Sequence, residues 1–243
     1  MDYTEMLVQI LKEHEKVLRQ DKGVARFYAK LRDGTADYVD VLKYADHSGM
    51  VLAYILGEGF PNGIPPDMAE ALLTPALKEE CKAVLKYAET VQKSINKRAG
   101  LNLNSVNVDV NTDRINGLVE HVKESGIGDE TQKLISNLAQ SHVDMTIKEN
   151  ARFQERSGLE VTITRTYDGV GLKSGACQWC LDRCGSDVPY KDAVAKGMFE
   201  RHPGCGCVIE YHTSKGTQRQ ADWTRNSWID TDKALETRKN YGL

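Results

Sequence analysis

Five of the six cysteines in this 243-residue chain fall between Cys177 and Cys207. They lie in the runs Cys177-Gln-Trp-Cys180-Leu-Asp-Arg-Cys184 and Arg201-His202-Pro-Gly-Cys205-Gly-Cys207. Thiols crowded this closely must share an ion, pair as disulfides or pack as free sulfhydryls, and each choice restricts the fold around them. A Cys-x-x-Cys turn sets two sulfurs ~3–4 Å apart, which suits one edge of a tetrahedral zinc site. Cys205 and Cys207 are two apart; leading into a strand, they face the same way and supply the opposite edge. His202 is a fifth donor able to replace either, and Cys184 is a sixth. Four ligands fill a structural site, so some donors among Cys177, Cys180, Cys184, His202, Cys205 and Cys207 stand idle.

The residues alone leave three readings open: structural zinc, one or two disulfides formed late in an oxidising setting, and packed free thiols. Structural zinc is the expectation carried forward. A catalytic ion fits less well, because a closed four-ligand site leaves no position for water. A thioredoxin-like redox pair calls for a helix start after a βαβ pattern, whereas this motif follows a loop containing Gly169, Gly171 and Gly175. Cys81 stands apart on a helical stripe and reads as a small buried apolar residue.

The rest of the chain separates into a helical part and a β-textured part. Tyr3 to Arg19, Val24 to Leu31, and Val41 to Leu56 carry apolar residues at spacings of three and four. Thr35 is the expected cap of the third helix. Pro61 to Pro66 is a stiff connector, and a helix starts by Asp67. Pro75, with Thr74 as cap, is expected to break or restart it. The stripe from Leu77 to Ala99 stops at Gly100.

Leu101 to Thr112 is Asn- and Val-rich, a linker or a short edge strand. Helix returns over Asp113–Glu124 and again from about Asp129 to Arg156, with Gly158 as the stop. Leu159 to Thr166 alternates β-branched and polar residues, the pattern of a strand with one buried face. Val188 to Phe199 has room for a short helix plus turn. Cys207 to Tyr211 reads as a second strand, and the segment from Asp222 to Leu243 ends in a polar helix. The expected fold is α+β: a helical domain over residues 1–100 and a smaller α/β lobe over 101–243, pinned by the Cys/His knot.

Composition excludes several classes. Charged residues make up 28% with a net charge of −3, so the chain lacks the basic excess of a protein that coats nucleic acid. The longest apolar run, Met50–Leu56, is far short of the ~20 residues that span a bilayer. Met1 to Leu11 is acidic and amphipathic, without the layout of a signal peptide, which suggests synthesis and use in a cytoplasm. There is no Walker A loop, His-Glu-x-x-His pair or Gly-x-Ser-x-Gly elbow. The glycine runs at Gly57–Gly63 and Gly169–Gly175 lack dinucleotide-loop spacing. His14, His47, His121 and His142 read as solvated or core-edge histidines. Trp179, Trp223 and Trp228 read as packing around the cysteine segment.

With these residues in hand, the chain resembles the phage Mu F-like family of minor head, or head-morphogenesis, proteins. The similarity lies in the helix Gln140-Ser-His-Val-Asp-Met-Thr-Ile-Lys-Glu-Asn-Ala-Arg-Phe-Gln154, the strand ending in Arg165-Thr166, Cys177-x-x-Cys180 and His202-Pro-x-Cys205-x-Cys207-Val. The family's last motif is usually His-Pro-x-Cys-Arg-Cys; Gly206 here replaces the arginine and removes an ionic contact. Cys184 falls where the family has no fixed cysteine. Val208–Tyr211 and Gln218–Trp228 also look like a subgroup found in prophages of Gram-positive bacteria.

The resemblance implies a minor, portal-associated capsid component of a tailed phage or prophage, assembled in the bacterial cytoplasm and residing in the virion. It implies portal and major capsid proteins as partners, with weak contact to packaged DNA, and no membrane or small-molecule substrate. It implies no defined enzymatic activity and no catalytic residues. Larger relatives carry a fused toxin or enzyme domain after the motif; the short remainder here leads us to expect none. The competing readings are a zinc-ribbon-like nucleic-acid-binding protein and a zinc hydrolase, for which His212 and Asp222 form a meagre set.

Overall fold

A computed structural model describes residues 2–167 and 177–213. Its elements run α1 (Tyr3–Gln20), α2 (Lys22–Arg32), α3 (Tyr38–Gly59), α4 (Pro66–Arg98), α5 (Thr112–Ser125), α6 (Asp129–Arg156), β1 (Thr162–Tyr167), α7 (Gln178–Arg183), β2 (Gly185–Pro189), α8 (Tyr190–Ala195) and β3 (Cys207–His212). The fold is α+β, mostly helical, with one small antiparallel sheet in its C-terminal part. In that sheet β1 lies between β2 and β3, and its register with β3 runs from Thr162 opposite His212 to Tyr167 opposite Cys207. None of the described helices is long and apolar enough to cross a membrane.

Helix α6 is the centre of the packing. It buries polar residues as well as apolar ones along its length, including Asn137, Gln140, His142, Asp144, Asn150 and Gln154. A helix buried this way needs partners for those groups, and it finds them in neighbouring backbone and in side chains of other elements. His142 donates from Nδ1 to the Leu138 carbonyl (2.8 Å) and accepts the Asn111 N–H at Nε2 (3.1 Å), and burial holds it neutral. Asn150 accepts the Val106 N–H at 2.8 Å, and Asn96 of α4 donates to the Leu103 carbonyl at 2.9 Å.

These bonds decide the conformation of residues 101–111. The segment is not a strand; its backbone groups bond to side chains instead of a ladder. His142 and His14 also differ from expectation. His142 is fully buried and His14 nearly so, because each has a bonding partner inside the core.

Two local expectations are corrected. The cap of α3 is Asp37 and not Thr35: the Asp37 carboxylate accepts the Asp40 N–H (3.0 Å), and the Asp40 carboxylate accepts the Asp37 N–H (3.1 Å). This reciprocal pair satisfies two orphan donors at once. Helix α4 runs unbroken through Pro75. A proline inside a helix costs ~3 kcal/mol, but Leu72, Leu73, Ala76 and Leu77 flank it and are all buried. Keeping that stripe in one helix outweighs the loss, since each large apolar side chain contributes ~1.5–3 kcal/mol on burial. Elsewhere the expected elements are present. Gly100 and Gly158, at φ 69° and 89°, end α4 and follow α6, and Cys81 is a buried thiol within the apolar core. Strand β2 was not expected, and it precedes the short helix α8. The loop 169–175, Trp223, Trp228 and the expected final helix lie outside the described residues.

Packing crosses residue 100, where the sequence texture changes. One apolar core contains Tyr38, Val41 and Val84 from the first hundred residues together with Val143, Ile147, Ile163 and Ile209. A second joins α3 and α4 to α5 and α6 through Leu56, Leu73, Ile115, Val119 and Ile135. Helices α3 and α6 pass close together at Gly49, where a Cβ would stand 2.7 Å from the Ser136 Cα. Beside that crossing lies a buried polar node: Ser48 donates to Glu80 Oε2 (2.9 Å), and His14 Nε2 lies 3.2 Å from the same hydroxyl. Burial lowers the His14 pKa, which disfavours an ion pair across its 3.8 Å approach to Glu80.

Two outcomes follow from this packing. Gly49→Ala gains helix propensity but forces backbone against backbone, so urea unfolding should show a net loss of about 1–3 kcal/mol. Burial raises the Glu80 pKa from 4.5 to about 7. Its contribution is therefore greatest below pH 4.5 and is lost as pH rises through about 7, a few kcal/mol in all. Glu80→Gln should flatten that part of a stability–pH profile and raise stability at pH 8.

Candidate metal centre

The Cys-x-x-Cys motif is shaped by a short helix. Cys177 is the N-cap of α7 and Cys180 lies in its first turn, so the Leu181 N–H bonds back to the Cys177 carbonyl at 3.0 Å. The motif therefore opens a helix, but of six residues only, and beside an antiparallel sheet, not in the βαβ setting of a thioredoxin-like pair. The second set of donors sits where the chain turns into β3. The Cys205 N–H bonds to the His202 carbonyl (3.1 Å), and Gly204 between them takes φ 70°. That left-handed conformation suits glycine.

The two stretches meet at Cys180. Its sulfur lies 3.0 Å from His202 Nε2 and 3.7 Å from Cys205 Sγ, while Cys177 Sγ lies 3.3 Å from the same His202 nitrogen. Cys177, Cys180 and His202 form one group of donors within 4.8 Å of each other, and Cys180, Cys205 and Cys207 form another. A tetrahedral ion with sulfur at ~2.3 Å and nitrogen at ~2.0 Å sets its donors roughly 3.5–3.8 Å apart. These Cys and His groups can hold a metal ion. Cys184 belongs to neither group; it packs against the cluster from the end of α7.

The surroundings are more strongly charged than the motif suggests. Arg201 is buried and donates to both oxygens of Asp144, to Gln140 Oε1 (3.0 Å), and to the carbonyls of Cys205 (3.2 Å) and Cys207 (2.8 Å). Burial opposes its charge, but Asp144 and the neighbouring sulfurs hold it protonated. Arg165, also buried, donates to the carbonyls of Met198 (2.8 Å) and Glu200 (2.6 Å), and reaches the Cys205 sulfur at 3.4 Å.

Trp179 closes this side. The Arg183 guanidinium lies 3.8 Å and that of Arg165 5.5 Å from its ring, and His202 meets it edge-on at 5.0 Å. Asn137 donates to the His202 carbonyl at 2.8 Å, adding a second tie to α6.

Burial pushes the Cys180 thiol up to about 11, and neighbouring Cys205 adds to the effect. The hydrogen bond with Cys207, followed by burial, raises Cys205 as well. A bound dication reverses this, because coordinated sulfur is deprotonated outright.

Sequence reasoning missed Arg165, Arg201 and Asp144. Strand parity was available for the first, since Arg165 shares a face with the buried Val161 and Ile163. No comparable signal marked Asp144.

No protein-family model, curated protein or solved structure matches the chain.

Removing one partner of the Asp144–Arg201 pair leaves a buried charge alone. Asp144→Ala should cost ~3–5 kcal/mol in chemical denaturation. The Asp144→Ala/Arg201→Ala double variant should lose clearly less than the sum of the single changes.

Proposed function

We propose that the chain is a minor structural component of a tailed-phage head, its C-terminal lobe held by a zinc ion. The observation that carries this reading is the meeting of Cys177 and Cys180 with His202, Cys205 and Cys207 around one sulfur, in the order of the head-protein motif that the sequence resembles. Mixed thiolate and imidazole donors suit zinc, a borderline-soft ion with no geometric demand beyond four ligands. The ion's contribution is folding free energy, on the order of 10 kcal/mol in apparent terms. The chain's own residues set the donors in place: Arg201 fixes the carbonyls of the Cys205–Cys207 corner, and Arg165 lies against the Cys205 thiol.

A nucleic-acid-binding role gains little from the site. The Trp179 ring already carries a guanidinium, which leaves that face poorly placed for a base to stack on. The portal and major capsid proteins remain the partners that the resemblance implies.

Metal analysis of the purified chain should find about one zinc per molecule, with Cys180→Ser and Cys205→Ser each lowering both zinc content and thermal stability. Absence of bound metal, or undiminished stability in both variants, would overturn the zinc part. For the head role, phage particles produced with the intact chain should contain it in few copies by mass spectrometry. Its absence from purified particles would overturn that role.

A further inference from the structure

Between α1, α3 and α4 lies a groove of about 620 Å³ that shares no residue with the cysteine cluster. Its volume falls within the ~300–1,000 Å³ typical of small-molecule sites. Glu80 lines it and is only 5% exposed. One of its oxygens accepts the Ser48 hydroxyl, but Oε1 has no hydrogen-bond partner among the described residues. Buried carboxylates are ordinarily paired or fully hydrogen-bonded. His14 Nε2 lies 3.8 Å from the other oxygen and 3.0 Å from the Ser48 carbonyl, and burial disfavours a charge on its ring.

The rest of the lining points to the same chemistry. Tyr28, Tyr44 and Tyr87 stand at the groove, Tyr44 and Tyr87 edge to face with centroids 5.0 Å apart. Aromatic rings attract cations through their quadrupoles. Glu15 and Glu79 also line the groove, each with its own partner, Arg19 at 2.6 Å and Lys82 at 2.7 Å, so both of those cations are already engaged away from Glu80. Leu11, Leu18, Ala76 and Ala83 provide an apolar floor, and the two alanines leave space. A bare metal ion is poorly served here, since calcium takes roughly 6–8 oxygen ligands.

We propose that this groove binds an organic ammonium ion, with its charge beside Glu80 and the tyrosines and its alkyl body along Leu11, Leu18 and Ala83. Burial raises the Glu80 pKa, and no lysine or arginine among the described residues pairs with it. This site is independent of the metal centre and of the head-protein reading.

The probe is n-butylammonium, titrated calorimetrically into the full chain, with n-butanol as its neutral counterpart and tyrosine NMR resonances as a local reporter. Saturable butylammonium binding is expected, shifting Tyr44 and Tyr87, with butanol at least tenfold weaker. Glu80→Gln is close to isosteric and should weaken butylammonium at least tenfold while retaining the native circular dichroism. Ala83→Met, which fills the groove without touching a charge, should do the same. Equal binding of butanol, undiminished binding in Glu80→Gln, or no saturable binding at millimolar butylammonium would overturn the proposal.

Discussion

The placement of the cysteines depends on one buried ion pair. Asp144, in the middle of α6, holds the Arg201 guanidinium, and that guanidinium also holds the carbonyls of Cys205 and Cys207. A loop of two glycines and a proline has little shape of its own. It acquires one because the fork of Arg201 donors joins its carbonyls to Asp144 and Gln140 of a buried helix. Arg165 acts likewise from β1, fixing Met198 and Glu200 on the approach to the same corner. The sulfurs meet because the backbone beneath them is already tied down, and an ion bound there would add to that arrangement.

Helix α6 shows the same logic over a longer distance. Its polar residues serve the backbone of the 101–111 segment, where a sheet neighbour would ordinarily do so. Asparagine and histidine side chains thus replace a strand, and they are buried at a cost that the hydrogen bonds offset. The tyrosine at the far end of β3 completes the pattern. The Tyr211 hydroxyl accepts from Gln92 of α4 (2.5 Å) and Gln154 of α6 (3.0 Å).

Much of this could be read before any coordinates were known. Apolar spacing located α1 to α6 closely, because amphipathic periodicity records burial directly. Cysteine spacing located the donor cluster, because few local geometries place thiols at such intervals. The errors were also physical. Thr35 and Asp37 are equally good caps in isolation, and only the reciprocal Asp40 bond separates them. Pro75 is a breaker by local rules, overridden by the apolar stripe around it. Asp144 and Gln140 look like solvent-facing helix positions until Arg201, some sixty residues later in sequence, arrives to meet them. Long-range polar pairs leave no periodic trace.

The continuous core across residue 100 has a mechanical consequence. Tyr38 of α3 packs against Tyr211 of β3, and the same core reaches Ile163 and Ile209 in the sheet. A push on the first helices is therefore passed through packed side chains into the sheet that leads to the cysteine corner.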